Sequence, residues 1–435
     1  PEVKKAGGVF YTPTYIVDYI VDQTVGQLLE GKTPGPNGSA SKLRILDPAA
    51  GSGSFALGAY QCLLNWHLKQ YVLSPNKWAR GKEPTICQDE DGKWRLTLGE
   101  RKRILLNNIY GVDIDPQAVE VTKLSLLLKV MEGENEQSLG VQMSLLPERV
   151  LPDLNNNIQC GNSLVGPDFY DGRQLSLGIL DEDMYRINVF DWEKAFPHIV
   201  SEGGFNAVIG NPPYVRQEML GEFKPYFSER YKTYAGMADL YVYFVEKGVS
   251  LLKQNGRFGY IMSNKWMKAT YGSPLRSWLK AQSIERIIDF GDLPVFKSAT
   301  TYPCILLITK SDVPEFIQST DVEHLNFIDL AKYIDGHTSK VRLETMNEEG
   351  WALINESTRL LLQKISSMGK PLGEVLDSKI FYGVKTGLNK AFVIDECVRN
   401  DLIQSDPKSA ELIKPFFAGR DIKRYTQPIP QRYLI

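Results

Sequence analysis

Strand, small-residue turn and helix follow one another in "LRILDPAAGSGSFALGAYQCLLNW" (Leu43–Trp66), and the same order returns in "NNIYGVDIDPQAVEVTKLSLLLKVM" (Asn107–Met131). Each apolar run closes on small or turn-forming residues and then takes up helical spacing, with one helix expected from about Ser54 and Pro116 suited to the first turn of the next. Further strand-like runs come at "NIQCGN", "FNAVIGN", "GRFGYIMSN", "IERIIDFG" and "PCILLITK", with helical stretches such as "DLYVYFVEKGVSLLK" between several of them. Strands alternating with helices predict an α/β fold around an open, mostly parallel sheet. Residues 74–103, with Pro75, Pro84 and "DEDGK", read as an insertion between the first two strand–helix units. After Lys310 the alternation weakens, and a new segment begins near Leu372. The expected division is a large domain over 1–310, a connecting segment over 311–371 and a partial further domain over 372–435.

Composition excludes several classes. With 43% hydrophobic and 23% charged residues the chain is an ordinary globular sequence, and no apolar run approaches the ~20 residues of a membrane span. Five scattered cysteines without a C-x-x-C pair, and four histidines, argue against disulfide frameworks and metal centres, so a reducing cytoplasm is expected and no metal. The net charge of −2 gives no global nucleic-acid signal. Lys253–Lys297 carries eight basic against three acidic residues, a pattern more often a solvated surface than a DNA track. The start at Pro1 and the stop within an apolar stretch read as a piece of a longer polypeptide.

Gly51 and Gly53 lie between a strand and a helix, where a bare backbone approaches a ligand closely. A dinucleotide is disfavoured there. Asp47 at the mouth of the loop repels a pyrophosphate, and the next strand-end acid, Asp113, follows after about 60 residues rather than the ~20 of a dinucleotide fingerprint. A ligand with an ammonium group and a ribose but no phosphate suits two carboxylates better, and S-adenosylmethionine is one. Downstream, "NPPY" (Asn211–Tyr214) closes the apolar run Phe205–Gly210; two prolines forbid helix and ladder pairing and fix a stiff turn.

With these pieces in this order, the chain resembles the N6-adenine DNA methyltransferases of the amino-methylating class, and among them type IIG restriction–modification enzymes and related phage-exclusion methyltransferases. "GGVFYTP" resembles the family's N-terminal cofactor motif, covering Phe10, Tyr11, Thr12 and Pro13, with Thr12 implied to meet the methionine carboxylate. Asp47, Ala49, Gly51 and Gly53 match the glycine-loop motif; Asp113 and Ile114 match the ribose and adenine contacts. "CGNSL" places Asn162 near the adenine amino group, and "GDLPVF" places Phe296 beside the target base. The likeness covers about residues 7–310, and "GVKTGLNKAFVID" resembles the opening of a target-recognition domain. It implies a Rossmann-like, doubly wound methyltransferase sheet with the start of that domain after it. It also implies S-adenosylmethionine as cofactor and double-stranded DNA as partner, with no membrane.

The resemblance gives Asn211, Pro212, Pro213 and Tyr214 a chemical reading. An exocyclic adenine amine is a poor nucleophile because its lone pair is delocalised into the ring. Two acceptors on its two N–H bonds, the Asn211 side-chain oxygen and the Pro212 carbonyl, free that lone pair, and the prolines hold both rigid. Tyr214 offers a face to a base flipped from the duplex, and Phe296 is expected on the base's other side. Cys304, in "TYPCILLITK", reads as core rather than as a thiolate nucleophile, and the E-x-K at Glu100 reads as chance. Rival readings are an NPPY enzyme acting on RNA guanine or protein glutamine, an NAD-linked oxidoreductase, and a non-catalytic DNA-binding subunit.

Overall fold

The computed structural model describes residues 11–134, 151–171, 184, 186–296, 301–348, 350–377, 383 and 389–435. Its strands are β1 (Ile45–Asp47), β2 (Ile86–Gln88), β3 (Trp94–Leu96), β4 (Ile109–Asp113), β5 (Ile158–Cys160), β6 (Phe205–Gly210), β7 (Leu252–Ser263), β8 (Ser283–Asp289), β9 (Pro303–Thr309), β10 (Phe316–Asp321), β11 (Ser339–Arg342), β12 (Val393–Asp395), β13 (Lys414–Phe416) and β14 (Arg432–Leu434). Among the described residues nine of them form one sheet, in the order β11-β10-β8-β9-β7-β6-β1-β4-β5. From β5 across to β7 every pairing is parallel; β9 runs antiparallel to both of its neighbours, and β11 closes the edge antiparallel to β10.

The sheet is buried on both faces, as a parallel sheet flanked by helices must be. Phe258, Tyr260 and Met262 of β7, with Leu306 and Ile308 of β9, belong to one core. Ile261, Ile305 and Leu307, from the same strands, belong to the other. This is the period-2 alternation of a pleated strand, and it explains why "PCILLIT" is apolar at nearly every position. The helix Ser54–Val72 follows β1, and Pro116–Met131 follows β4 with Pro116 at its start. Asp115 caps the latter by accepting from the Gln117 N–H at 2.8 Å.

The insertion folds as an antiparallel hairpin of β2 and β3, pairing Ile86 with Leu96. Beyond it Glu100 is buried, bonded by the Tyr71 hydroxyl and held bidentately by Arg103 at 2.7 and 2.6 Å. That carboxylate is spent on structure. The expected connecting segment 311–371 is corrected in part, because β10 and β11 continue the nine-stranded sheet. β8 leaves a parallel edge that β10 extends, and the weak helical patterning after Lys310 concealed this.

The chain divides into two compact units, Pro1–Leu360 and Leu361–Ile435. In the second, β12, β14 and β13 form a small antiparallel sheet, with Arg399 over the ring of buried Tyr433 at 4.7 Å. Among the described residues, no helix is long and apolar enough to cross a membrane.

Candidate active site

β1 pairs in parallel with β4 on one side and β6 on the other, so the chain leaves it in both directions and opens a crevice at the carboxyl ends. Asp47 ends β1, Asp113 ends β4, and Gly210 ends β6 immediately before Asn211. Distant parts of the sequence thus converge on one rim. Gly51 and Gly53 have φ of +54° and +82°, a backbone that side chains rarely adopt. Around them the loop is tied down: the Thr122 hydroxyl donates to the Gly51 carbonyl at 3.0 Å, and the Ser163 hydroxyl to that of Pro48 at 2.6 Å. Gly210 has a steric task. A Cβ there would lie 2.8 Å from the Asp47 carboxylate.

Neither strand-end acid caps a helix. Asp113 accepts the Gly51 N–H at 2.8 Å on one oxygen and the Asp115 N–H at 2.9 Å on the other, so its carboxylate is fixed in space with lone pairs to spare. Burial raises its pKa, opposed by the N–H bonds from Asp115 and Gly51. Asp47 is only 2% exposed. Burial pushes its carboxyl up to about 8, against the Ala49 N–H bond and with the negative Asp113 adding to the rise. A rigid, half-buried carboxylate beside two bare glycines, with Ile114 exposed next to it, fits the ribose and adenine of a nucleoside. A buried carboxylate that gains by meeting a cation fits an ammonium group.

The Asp47 shift carries a signed prediction. The folded chain holds a proton that the unfolded chain releases near pH 4, so this group's contribution to stability is full below about pH 4 and is lost as pH climbs through about 8. Asp47→Asn cannot ionise. In ligand-free protein its melting temperature is expected to gain on the wild type from pH 5 to pH 8 and to level off above that. A difference that stays constant with pH would refute the assignment.

Asn211 sits against the N-terminal segment, its Nδ2 donating to the Thr12 hydroxyl at 3.1 Å. Tyr214 lies 6.2 Å from the Phe296 ring at 72°, edge to face, and 6.2 Å from Tyr241. The expectation of Phe296 beside the target base thus meets a ring that already touches Tyr214. The Phe296 ring is packed in the core, 3% exposed, and meets the Tyr214 ring instead of facing it in parallel. Cys304 is fully buried in β9, and burial holds its thiol well above the usual range. It is no nucleophile.

Other sequence-predicted residues divide. Thr12 is buried, Pro13 opens the helix Thr14–Val21, and Tyr11 is exposed at 74%; Phe10 lies outside the described residues. Asn162 follows β5 on the same rim, but its amide shapes the turn, donating to the Ile187 carbonyl and accepting the Leu164 N–H. Sequence reasoning missed Thr122, Ser163 and Gly210, and the contact of Thr12 with Asn211. Ser163, Gly210 and Thr122 all stand inside stretches singled out in the sequence, but their roles gave no local signal, because each acts on a residue far away in the chain.

Residues 107–296 match the family model of the Eco57I restriction-modification methylase, and residues 38–171 that of the DNA-methyltransferase domain of MmeI. Over 401 residues the chain is 27% identical to the type II restriction enzyme and methyltransferase RM.Eco57I of Escherichia coli, covering 89% of this chain and 36% of that protein. It is 30% identical over 207 residues to the type II methyltransferase M.PaeR7I of Pseudomonas aeruginosa, covering 45% and 36%. A relative from Streptomyces coelicolor, the adenine-specific methyltransferase PglX, is 25% identical over 286 residues, covering 62% of this chain and 20% of that one. The chain thus spans about a third or less of these relatives. In fold it is similar to the type IIL restriction-modification enzyme MmeI, solved in complex with DNA, at a TM-score of 0.52 and 14% identity over 100% of this chain and 49% of that one. Residues 38–296 are thus spanned by two models of restriction–modification methylase domains, each matching less than half of the chain, and it is these domains that the chain resembles.

Proposed function

We propose that this chain transfers the methyl group of S-adenosylmethionine to N6 of an adenine flipped out of double-stranded DNA, at a specific site, as the modifying part of a cytoplasmic restriction–modification or phage-defence protein. The observation that carries the reading is Asn211-Pro212-Pro213-Tyr214 at the end of β6, next to the strand that ends in Asp47. Bound S-adenosylmethionine supplies an electrophilic methyl on sulfur. Asp113 and Ile114 hold its nucleoside, Asn162 offers the remaining lone pair of its amide oxygen to the adenine amine, and Thr12 and Asp47 take the amino-acid end. The Asn211 oxygen and the Pro212 carbonyl accept the two N–H bonds of the target amine, so its lone pair is released toward the methyl carbon. Tyr214 gives the extruded base a stacking face, and Phe296 steadies that ring from its edge. S-adenosylmethionine held there would supply the methyl group and take back the C–S electron pair, and the amine would shed one proton to solvent. Residues 372–435 we assign to the start of the target-recognition domain.

A chain incubated with duplex DNA and isotopically labelled S-adenosylmethionine should yield labelled N6-methyladenine on nucleoside mass spectrometry. Label in cytosine, in RNA guanine or in protein glutamine, or no label in any of them, would overturn the reading. Adenine as target has the further support of a relative named as adenine-specific.

A further inference from the structure

We propose that Thr12 is a positioning residue that couples cofactor binding to the orientation of the Asn211 amide; the inference rests on the function proposed above. The two residues stand 199 apart in sequence and are joined by the bond from Asn211 Nδ2 to Thr12 Oγ1, 3.1 Å long. Thr12 is 4% exposed. Its place is fixed by the helix that starts just after it: the Ile16 and Val17 N–H groups both bond the Pro13 carbonyl. Val17 in turn fills the gap left by Gly58, where a Cβ would come within 2.6 Å of its side chain. Gly58 belongs to the helix that grows out of the glycine loop. Cofactor loop, N-terminal segment and NPPY turn are therefore one mechanical unit.

A hydroxyl has one proton to give and lone pairs to receive. An asparagine amide presents a donor at one end and an acceptor at the other. While Thr12 accepts from Nδ2, the Asn211 oxygen is turned away from Thr12, which is the orientation that can receive an amine N–H. Were the Thr12 proton to point at Asn211, the amide would be drawn round to present its oxygen to Thr12, and the acceptor would be lost to the substrate. The direction of a single hydroxyl proton thus selects between a competent and an incompetent amide. An anionic group bound on the far side of Thr12 would take that proton. The carboxylate of the cofactor's amino-acid end is such a group, so its arrival fixes the amide in the competent orientation. Binding of the methyl donor and activation of the acceptor amine become linked events.

The test compares wild type, Thr12→Val and Thr12→Ser, each with S-adenosylmethionine and with its decarboxylated analogue, by calorimetric affinity without DNA and by single-turnover methylation of duplex DNA at saturating cofactor. Thr12→Val keeps the side-chain shape and removes the hydroxyl. It is expected to slow the saturated rate by about tenfold or more, the scale of one charge-assisted hydrogen bond, while Thr12→Ser restores it. Wild type should be slowed by the decarboxylated donor, and Thr12→Val should be indifferent to which donor it is given. A Thr12→Val variant that binds cofactor more weakly but reaches the wild-type rate at saturation would reduce Thr12 to a binding contact and overturn the coupling. If Thr12→Val melts below the assay temperature, the donor comparison in wild type and Thr12→Ser decides alone: equal rates with the two donors overturn the coupling. Failure of the wild-type protein to methylate any DNA would instead overturn the proposed function, and the coupling with it.

Discussion

Asn211→Ala is expected to lower methyl transfer by about 10²–10³-fold or more while leaving cofactor affinity nearly unchanged, the loss typical of removing one preorganised polar group from a reacting centre. The alanine removes the acceptor that opposes delocalisation of the amine lone pair, and the Pro212 carbonyl alone cannot hold both N–H bonds. It leaves the strand-end carboxylates and the glycine loop as they are, and because Thr12 only accepts from Asn211, its hydroxyl keeps its proton for the cofactor's amino-acid end. Tyr214→Ala should be milder, because stacking of an extruded base contributes about 1–3 kcal/mol. A turn that served only to end β6 makes another forecast: both variants would lose stability and cofactor binding together. Thermal melts with and without cofactor, run beside single-turnover rates, separate the two outcomes.

Asp113→Ala should weaken S-adenosylmethionine binding by tenfold or more. Charge-assisted bonds of the kind expected with the ribose contribute about 1.5–3 kcal/mol each, and ~1.4 kcal/mol is already tenfold. The structure adds a second loss. The same carboxylate holds the N–H groups of Gly51 and Asp115, so its removal frees the loop that the nucleoside rests on. For that reason Asp113→Asn should not rescue: one of its ends would put a donor against a backbone N–H. Calorimetry showing an unchanged affinity for either variant would disprove the assignment.

The sheet was legible because its signals are local. Apolar runs of strand length, glycines after Asp47 and Pro116 at a helix start each act within a few residues, and the structure realises all three. Asp47, Asp113 and Asn211 could be named from the same logic, since a strand end is where a parallel sheet exposes function. What stayed hidden depends on distant packing. That the Phe296 ring meets Tyr214 edge to face could not be read from the sequence, where the two stand 82 residues apart. β10 and β11 lie in a stretch whose alternation is broken by exposed residues such as Phe316, and only pairing with β8 makes β10 a continuation of the sheet. The Thr12–Asn211 bond joins residues 199 apart in the chain, and no window along the sequence contains both.

The hairpin of β2 and β3 lies at the foot of the sheet, where Arg95 meets the Gly133 carbonyl beyond the end of the helix Pro116–Met131. At that rim a change in length costs only loop closure, about 0.6 kcal/mol for each doubling. At the opposite rim a displacement of even one residue would carry Asn211 out of reach of Thr12. The two rims therefore tolerate change unequally: the foot can absorb insertions and lend itself to attached labels, while the head admits substitutions of side chain and almost none of spacing. The exposed turn between Asp89 and Lys93 is where a probe can be fixed without disturbing the residues gathered at the opposite rim.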